Sequence, residues 1–188
     1  MDNTRRLTAF GHVSLDGYFV DESGDMSWAH KRDAEWNGFV AENAGSDSEL
    51  VFGRTTYQMM AGYWPTSQAV EASPVVADRM NRTRKVVFSR TLDTAPWNNT
   101  TLIKGDIAAS MRRMKQEPGK PMVILGSGSI VSQMAQEGLI DEFQIVLNPL
   151  AVGNGRTYFD GIEGRLKLTL VKTRAFGNGN VLICYKPG

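Results

Sequence analysis

Short apolar runs that end in glycine, serine or arginine alternate with helical segments along most of this 188-residue chain. Residues 7–15 (LTAFGHVSL), 49–53 (ELVFG), 84–89 (RKVVFS), 100–105 (TTLIKG) and 121–126 (PMVILG) read as strands. Helical patterns cover residues 27–44, closed by Gly45, then about 55–62, 74–82, a segment capped by Asp106 that runs to about 116, and 129 to about 137. Alternation of this kind predicts an α/β fold, because parallel neighbours need long crossovers and the crossover helices cover the sheet faces. Residues 142–150 add a strand interrupted by Pro149. Residues 166–176 and 180–186 form a hairpin around Gly177-Asn178-Gly179, which brings an antiparallel strand to the sheet edge. No repeat or low-complexity stretch divides the pattern, so one domain is expected over residues 1–188.

Sheets of this type bind ligands beyond the carboxyl ends of their strands. Three apolar strands end in polar, glycine-containing turns: Gly53-Arg54-Thr55, Ser89-Arg90, and Gly126-Ser127-Gly128 leading into Ser129. Glycine lets an anion approach the backbone, the free N–H groups of a helix start attract it, and arginine adds a forked donor. Each turn alone is also readable as solvent-facing decoration or a tight strand-to-helix turn. Three in one sheet point to a phosphate-rich cofactor.

The first helix poses a separate question. At about 100° per residue, Ala29, Asp33, Trp36, Val40 and Ala44 fall on one stripe, with Lys31, Glu35 and Glu42 opposite, Arg32 at the flank and Phe39 off the stripe. Asp33 is therefore expected in the middle of a buried face. An unpaired carboxylate there is costly unless it is paired, wetted or protonated. A structural ion pair and a carboxyl group at the floor of a ligand pocket both account for it.

Other function classes are disfavoured. A net charge of +1 gives no electrostatic case for nucleic acid or an anionic membrane. The first residues, MDNTRRLTAF, lack an apolar signal stretch, and no segment approaches the roughly 20 apolar residues of a membrane helix. A cytoplasmic location is expected. The single cysteine, Cys184, reads as a small buried apolar side chain, and with only His12 and His30 beside it no metal site is expected. His12, within a strand, reads as structural.

In their order and spacing these residues resemble the dihydrofolate-reductase-like superfamily over nearly the whole chain. Met26-Ser27-Trp28, Asp33 and Trp36 match that family's Met-Pro-Trp loop, first-helix carboxylate and following tryptophan. Gly53-Arg54-Thr55-Thr56 matches its Gly-Arg-x-Thr strand end, Ser89 its serine after the next strand, and Gly126-Ser127-Gly128 its late glycine turn. Ser14-Leu15-Asp16-Gly17 and the run from Asn148-Pro149 through Gly153-Asn154-Gly155 to Phe159 are similar to the reductase domain of bifunctional riboflavin-biosynthesis deaminase/reductases. Leu147, where the folate enzymes carry threonine, and Ser27 for the loop proline favour that second branch over a folate enzyme.

The resemblance implies a three-layer α-β-α fold with a central, mostly parallel sheet of about eight strands and an antiparallel C-terminal hairpin. It implies an NADPH-dependent reductase of a pyrimidine- or pteridine-like substrate, of the 5-amino-6-(5-phosphoribosylamino)uracil reductase type. Dihydrofolate reductase, a reductase of another small heterocycle, and an NADPH-binding protein without turnover are the alternatives. Carried onto this chain, Asp33 is the catalytic carboxylate, and Asp16, Met26, Trp28 and Trp36 bind substrate. Arg54, Thr55 and Ser89 hold the cofactor 2′-phosphate, Gly126, Ser127, Gly128 and Ser129 its pyrophosphate, and Gly53 and Arg90 also bind the cofactor. The branch also implies a homodimer, with a small-molecule substrate and neither nucleic acid nor membrane as partner.

Overall fold

The computed structural model describes residues 4–29, 33–44 and 46–188. β1 (Leu7–Ser14) is followed by a short β2 (Tyr18–Asp21), a single 3₁₀ turn at Ser27–Ala29 and α1 (Ala34–Ala44). β3 (Glu49–Gly53) leads into three helices, α2 (Arg54–Tyr63), α3 (Ser67–Ala72) and α4 (Pro74–Arg82). Then come β4 (Lys85–Phe88), β5 (Thr100–Ile103), α5 (Ile107–Gln116), β6 (Met122–Leu125), α6 (Gly128–Gln136) and β7 (Glu142–Asn148). β8 (Gly155–Thr157), β9 (Leu168–Ala175) and β10 (Val181–Pro187) complete the chain.

Eight strands form one sheet in the order β5-β4-β3-β6-β1-β7-β10-β9, while β2 and β8 pair separately. From β5 to β7 every pairing is parallel, and β10 joins antiparallel to both β7 and β9. The sheet is thus the mostly parallel one that the strand–helix alternation predicts. The hairpin turn closes where Phe176 N donates to Asn180 O and Gly179 N to Phe176 O, with Gly179 at a positive φ of 88°.

Period-two alternation distributes the core over two faces. Leu7, Ala9 and Val13 of β1, Val51 of β3 and Met122 and Ile124 of β6 pack against α5 and α6 through Met111, Ile130 and Met134. On the opposite face Phe52 and Val87 pack with Tyr57, Met80 and Trp97, and Val146 and Leu182 pack with Trp36 and Phe39. α1 lies beside α4 and α5 beside α6, giving the three layers. Lys85, fully buried on β4, donates to the carbonyls of Asn81, Thr83 and Asn98 at 3.2, 2.6 and 3.0 Å and lies 4.4 Å over the Trp97 ring.

The structure differs from the sequence reading in four places. The helix expected over 27–44 divides: Ser27–Ala29 makes a 3₁₀ turn, α1 starts at Ala34, and the presumed stop at Gly45 lies outside the described residues, as do Lys31 and Arg32. Asp33 causes the late start, because its Oδ1 accepts from Trp36 N at 2.9 Å, the N-cap arrangement that aspartate favours. Phe39, placed off the apolar stripe, is buried between Trp36 and Phe176, with ring centroids 5.2 and 5.1 Å away. Finally, α3 and the β2–β8 pair have no counterpart in the expected elements. α3 is a short helix capped by Thr66, and β2 lies in a stretch dense in turn residues.

Candidate functional site

The chain steps outward from β1 to β3, β4 and β5, then returns to insert β6 between β3 and β1. The segment after β3 leaves on the α1–α4 face and the segment after β6 on the α5–α6 face, so a crevice opens at the carboxyl ends of these two strands. It is part of an open cleft of about 1800 Å³, above the usual size for a drug-sized ligand and sufficient for a dinucleotide with a second molecule.

Ser127 holds the crevice together. Its hydroxyl accepts from Gly53 N at 2.8 Å and donates to Thr56 Oγ1 at 3.0 Å, joining the start of α6 to the start of α2. It therefore does not cap its own helix, and neither α2 nor α6 has a side-chain N-cap. Gly126 and Ser127 stand side by side in the left-handed region, with φ of 57° and 58°. The amides at the starts of two helices thus face one space, an arrangement that attracts anions.

The glycines let the walls of that space approach each other closely. A Cβ on Gly53 would sit 3.2 Å from Ile130 and 3.3 Å from Ser127, and a Cβ on Gly128 would sit 2.8 Å from Phe19. Arg54, Thr55, Ser89, Arg90 and Ser129 also line the cleft, so every residue proposed for the cofactor is gathered there. Arg54 is exposed at the first turn of α2, with Nη1 3.2 Å from Gln58 Oε1, while the Ser89 hydroxyl accepts from Thr91 N and Leu92 N and shapes its own turn. Two guanidinium groups lining a cleft that also holds two uncapped helix starts fit a ligand with several phosphate groups.

The other end of the cleft is aromatic. Trp36 stands edge-on to His12 at 5.6 Å and to Phe176 at 4.9 Å, and Phe10 stands edge-on to His12 at 5.7 Å. Met26, Ala29, Val40 and Gln144 complete this part of the wall. Expected to be structural, His12 instead lines the cleft. Its position two residues after Phe10 on β1, facing the Trp36 side, is the sequence signal that could have found it.

Three of the expected substrate-side residues do not line the cleft: Asp16, Trp28 and Asp33. Asp16 fastens a loop. Its carboxylate accepts from Ser14 Oγ at 2.5 Å, Val152 N at 3.1 Å and Gly153 N at 2.7 Å, tying the β1–β2 turn to the segment after β7. These hydrogen bonds, that from Ser14 foremost, lower its pKa to about 2. Asp33, as the α1 N-cap, is not in a helix interior as the stripe suggested. Its Oδ2 is buried without a partner among the described residues, and so is Trp28 Nε1.

Tyr158 is a further residue that the sequence did not single out. It is 2% exposed and lines the cleft, and its hydroxyl has no hydrogen-bond partner among the described residues. A Cβ on Gly11 would lie 2.5–2.7 Å from the tip of its ring, so only glycine on β1 admits it. Burial raises the phenol pKa well above its ordinary value.

The family model of the RibD C-terminal domain matches residues 5–182. The chain belongs to this family. The RibD C-terminal domain match runs from two residues before β1 into β10 and so includes every element that lines the cleft. A curated relative, the uncharacterized Bacillus subtilis (strain 168) protein YyaP, is 26% identical over 182 residues, which span 96% of this chain and 94% of YyaP. Among solved structures, a Shewanella sp. PV-4 protein superposes with a TM-score of 0.69 at 23% identity, covering 97% of this chain and 99% of that one. The diaminohydroxyphosphoribosylaminopyrimidine deaminase/5-amino-6-(5-phosphoribosylamino)uracil reductase of Thermotoga maritima superposes with a TM-score of 0.70 at 15% identity, covering 98% of this chain and 57% of that longer one. The structural likenesses establish the shared fold. The family match bears out the resemblance to the reductase domain of the riboflavin-biosynthesis enzymes. No helix among the described residues is long and apolar enough to cross a membrane.

Proposed function

We propose that this protein is an NADPH-dependent reductase of a pyrimidine- or pteridine-like heterocycle, of the 5-amino-6-(5-phosphoribosylamino)uracil reductase type. The observation that carries this reading is the Ser127 bridge, which presents two uncapped helix starts to one crevice beside Arg54 and Arg90 and opens on an aromatic wall. The family membership and the Thermotoga maritima neighbour support it. In this reading Arg54, Thr55, Ser89 and Arg90 hold the 2′-phosphate, and the amides of Gly126 to Ser129 hold the pyrophosphate.

NADPH, when bound, supplies the hydride for a carbonyl or carbon–nitrogen double bond, and the oxygen or nitrogen takes up a proton. The chain orients the substrate, excludes water and provides a proton route. Trp36, His12 and Phe10, set edge-on to one another, form an aromatic wall against which a heterocycle packs. Met26 closes one side from the loop before the 3₁₀ turn. Asp33, which caps α1 through Oδ1 and stands outside the cleft lining, acts on the polar edge of the substrate through one bridging water at Oδ2. A homodimer belongs to the same proposal; β9, an edge strand with Leu170 and Val171 about half exposed, is the surface available for it.

The test is optical. NADPH oxidation is followed with the ribosylated pyrimidine and, separately, with dihydrofolate. Turnover of the pyrimidine is expected. Turnover of dihydrofolate alone would replace the substrate assignment, and tight NADPH binding with turnover of neither would make the protein a binding module.

A further inference from the structure

We infer that Tyr158 is a cofactor-holding residue: its buried hydroxyl donates a hydrogen bond to the carboxamide of a bound nicotinamide. The inference rests on the NADPH reading above and adds a residue and a contact to it.

Buried hydroxyl groups in folded proteins are nearly always paired, since an unpaired one forfeits its hydrogen bonds to water. The Tyr158 hydroxyl is an exception among the described residues, and Tyr158 is one of the residues that line the cleft. Room for it is made deliberately, because the ring tip occupies the place of a side chain on Gly11 at the middle of β1. Its position points to the cofactor half of the cleft. Tyr158 and Gly11 belong to the sheet face covered by α5 and α6, the face on which Leu7, Ala9 and Val13 are packed. Trp36 and Phe10 belong to the opposite face. Phe19 stands edge-on to Tyr158 at 6.2 Å and meets the Cβ position of Gly128 at 2.8 Å, so one ring separates Tyr158 from the start of α6. A dinucleotide whose pyrophosphate rests on that helix start extends its second nucleoside past Phe19 to this hydroxyl. The phenol stays protonated throughout the neutral range, since burial raises its pKa, and is therefore a donor seeking an acceptor such as an amide carbonyl.

Tyr158→Phe keeps the ring and deletes the unpaired oxygen. For the ligand-free protein the thermal midpoint is expected to rise by about 2–4 °C, since a buried group without a partner is removed. The affinity for NADPH, read by quenching of protein fluorescence, is expected to fall roughly tenfold, the loss of one good hydrogen bond. The affinity for 2′-phosphoadenosine-5′-diphosphoribose, which lacks the nicotinamide, is expected to stay the same. NADPH affinity unchanged in the variant, or both affinities reduced equally, would overturn the contact. A lower midpoint would show the hydroxyl to be satisfied within the fold and would overturn its premise. If the native chain binds neither ligand, the NADPH reading falls and takes this inference with it; if the native chain binds both and the variant binds both alike, this inference falls alone.

Discussion

Ser127→Ala tests whether one hydroxyl organises the crevice. In the native chain Gly53 N is buried and its hydrogen bond is to Ser127 Oγ at 2.8 Å. Deleting the hydroxyl leaves that N–H unpaired, which costs about 1–3 kcal/mol. Thr56 loses its partner too but is only half-buried and can turn to water, so it adds little. With about 2–4 °C of thermal midpoint per kcal/mol for a chain of this size, a fall of about 4–8 °C is expected from a loss of about 2 kcal/mol. Ser127→Gly sharpens the reasoning. It loses the same bond but relieves the left-handed backbone at φ 58°, a strain of roughly 1–2 kcal/mol for a residue with a Cβ, set against roughly 0.5–1 kcal/mol of extra chain entropy. The glycine variant should therefore melt above the alanine variant and below the native chain. Thermal scans by circular dichroism, with NADPH titrations alongside, read both effects. An alanine variant that melts with the native chain, or a glycine variant that melts below the alanine variant, would refute the bridge as the organising contact.

Three other expectations follow from the site and the core. Arg54→Ala should narrow the preference for NADPH over NADH in paired titrations, and an unchanged ratio would move the 2′-phosphate away from α2. Asp33→Asn should keep the melting temperature, because asparagine caps a helix as well as aspartate, yet cut turnover, whereas Asp33→Ala should lose about 1 kcal/mol as well; undiminished turnover in the asparagine variant would leave Asp33 as a cap alone. Burial lowers Lys85 from 10.5 to about 8, so the folded chain releases a proton that the unfolded chain still holds between these values, and stability attributable to Lys85 rises with pH across that window. Comparing the native chain with Lys85→Met in urea titrations at pH 7.5 and pH 9 isolates the effect, and equal pH slopes for the two would contradict it.

Much of this architecture was legible because its signals are local. Gly53, Ser89 and Gly126 each end an apolar strand, and the eight main strands follow from runs that the sheet accepts with shifts of one or two residues. The three polar strand ends that line the cleft were legible for the same reason. The substrate side was less so. Asp33 fits an apolar stripe by helical period, but its side chain competes for the Trp36 amide, and periodicity carries no term for that competition. The Asp16 motif was visible while its partners, the amides of Val152 and Gly153, were not, because they come from the far side of the chain. Tyr158 follows the three-residue strand β8, whose partner Tyr18 lies far back in sequence, so no window that contains one shows the other.

The central position of β1 has a consequence for how the chain folds. β3, β4 and β5 are successive strands joined by local crossovers and can pair as soon as they exist. β1 cannot, since its neighbours on both sides, β6 and β7, come more than half the chain later: Leu7 pairs with Met122 and Thr8 with Glu142. β1 precedes both of its partners and is thus among the last of these strands to be enclosed, and the entropy of closing those long loops must be met before its contacts repay it. Until β6 arrives, the apolar edge of β1 is unpaired on both sides and Gly53 lacks Ser127, so the ligand crevice and the last stage of sheet assembly are completed by the same segment.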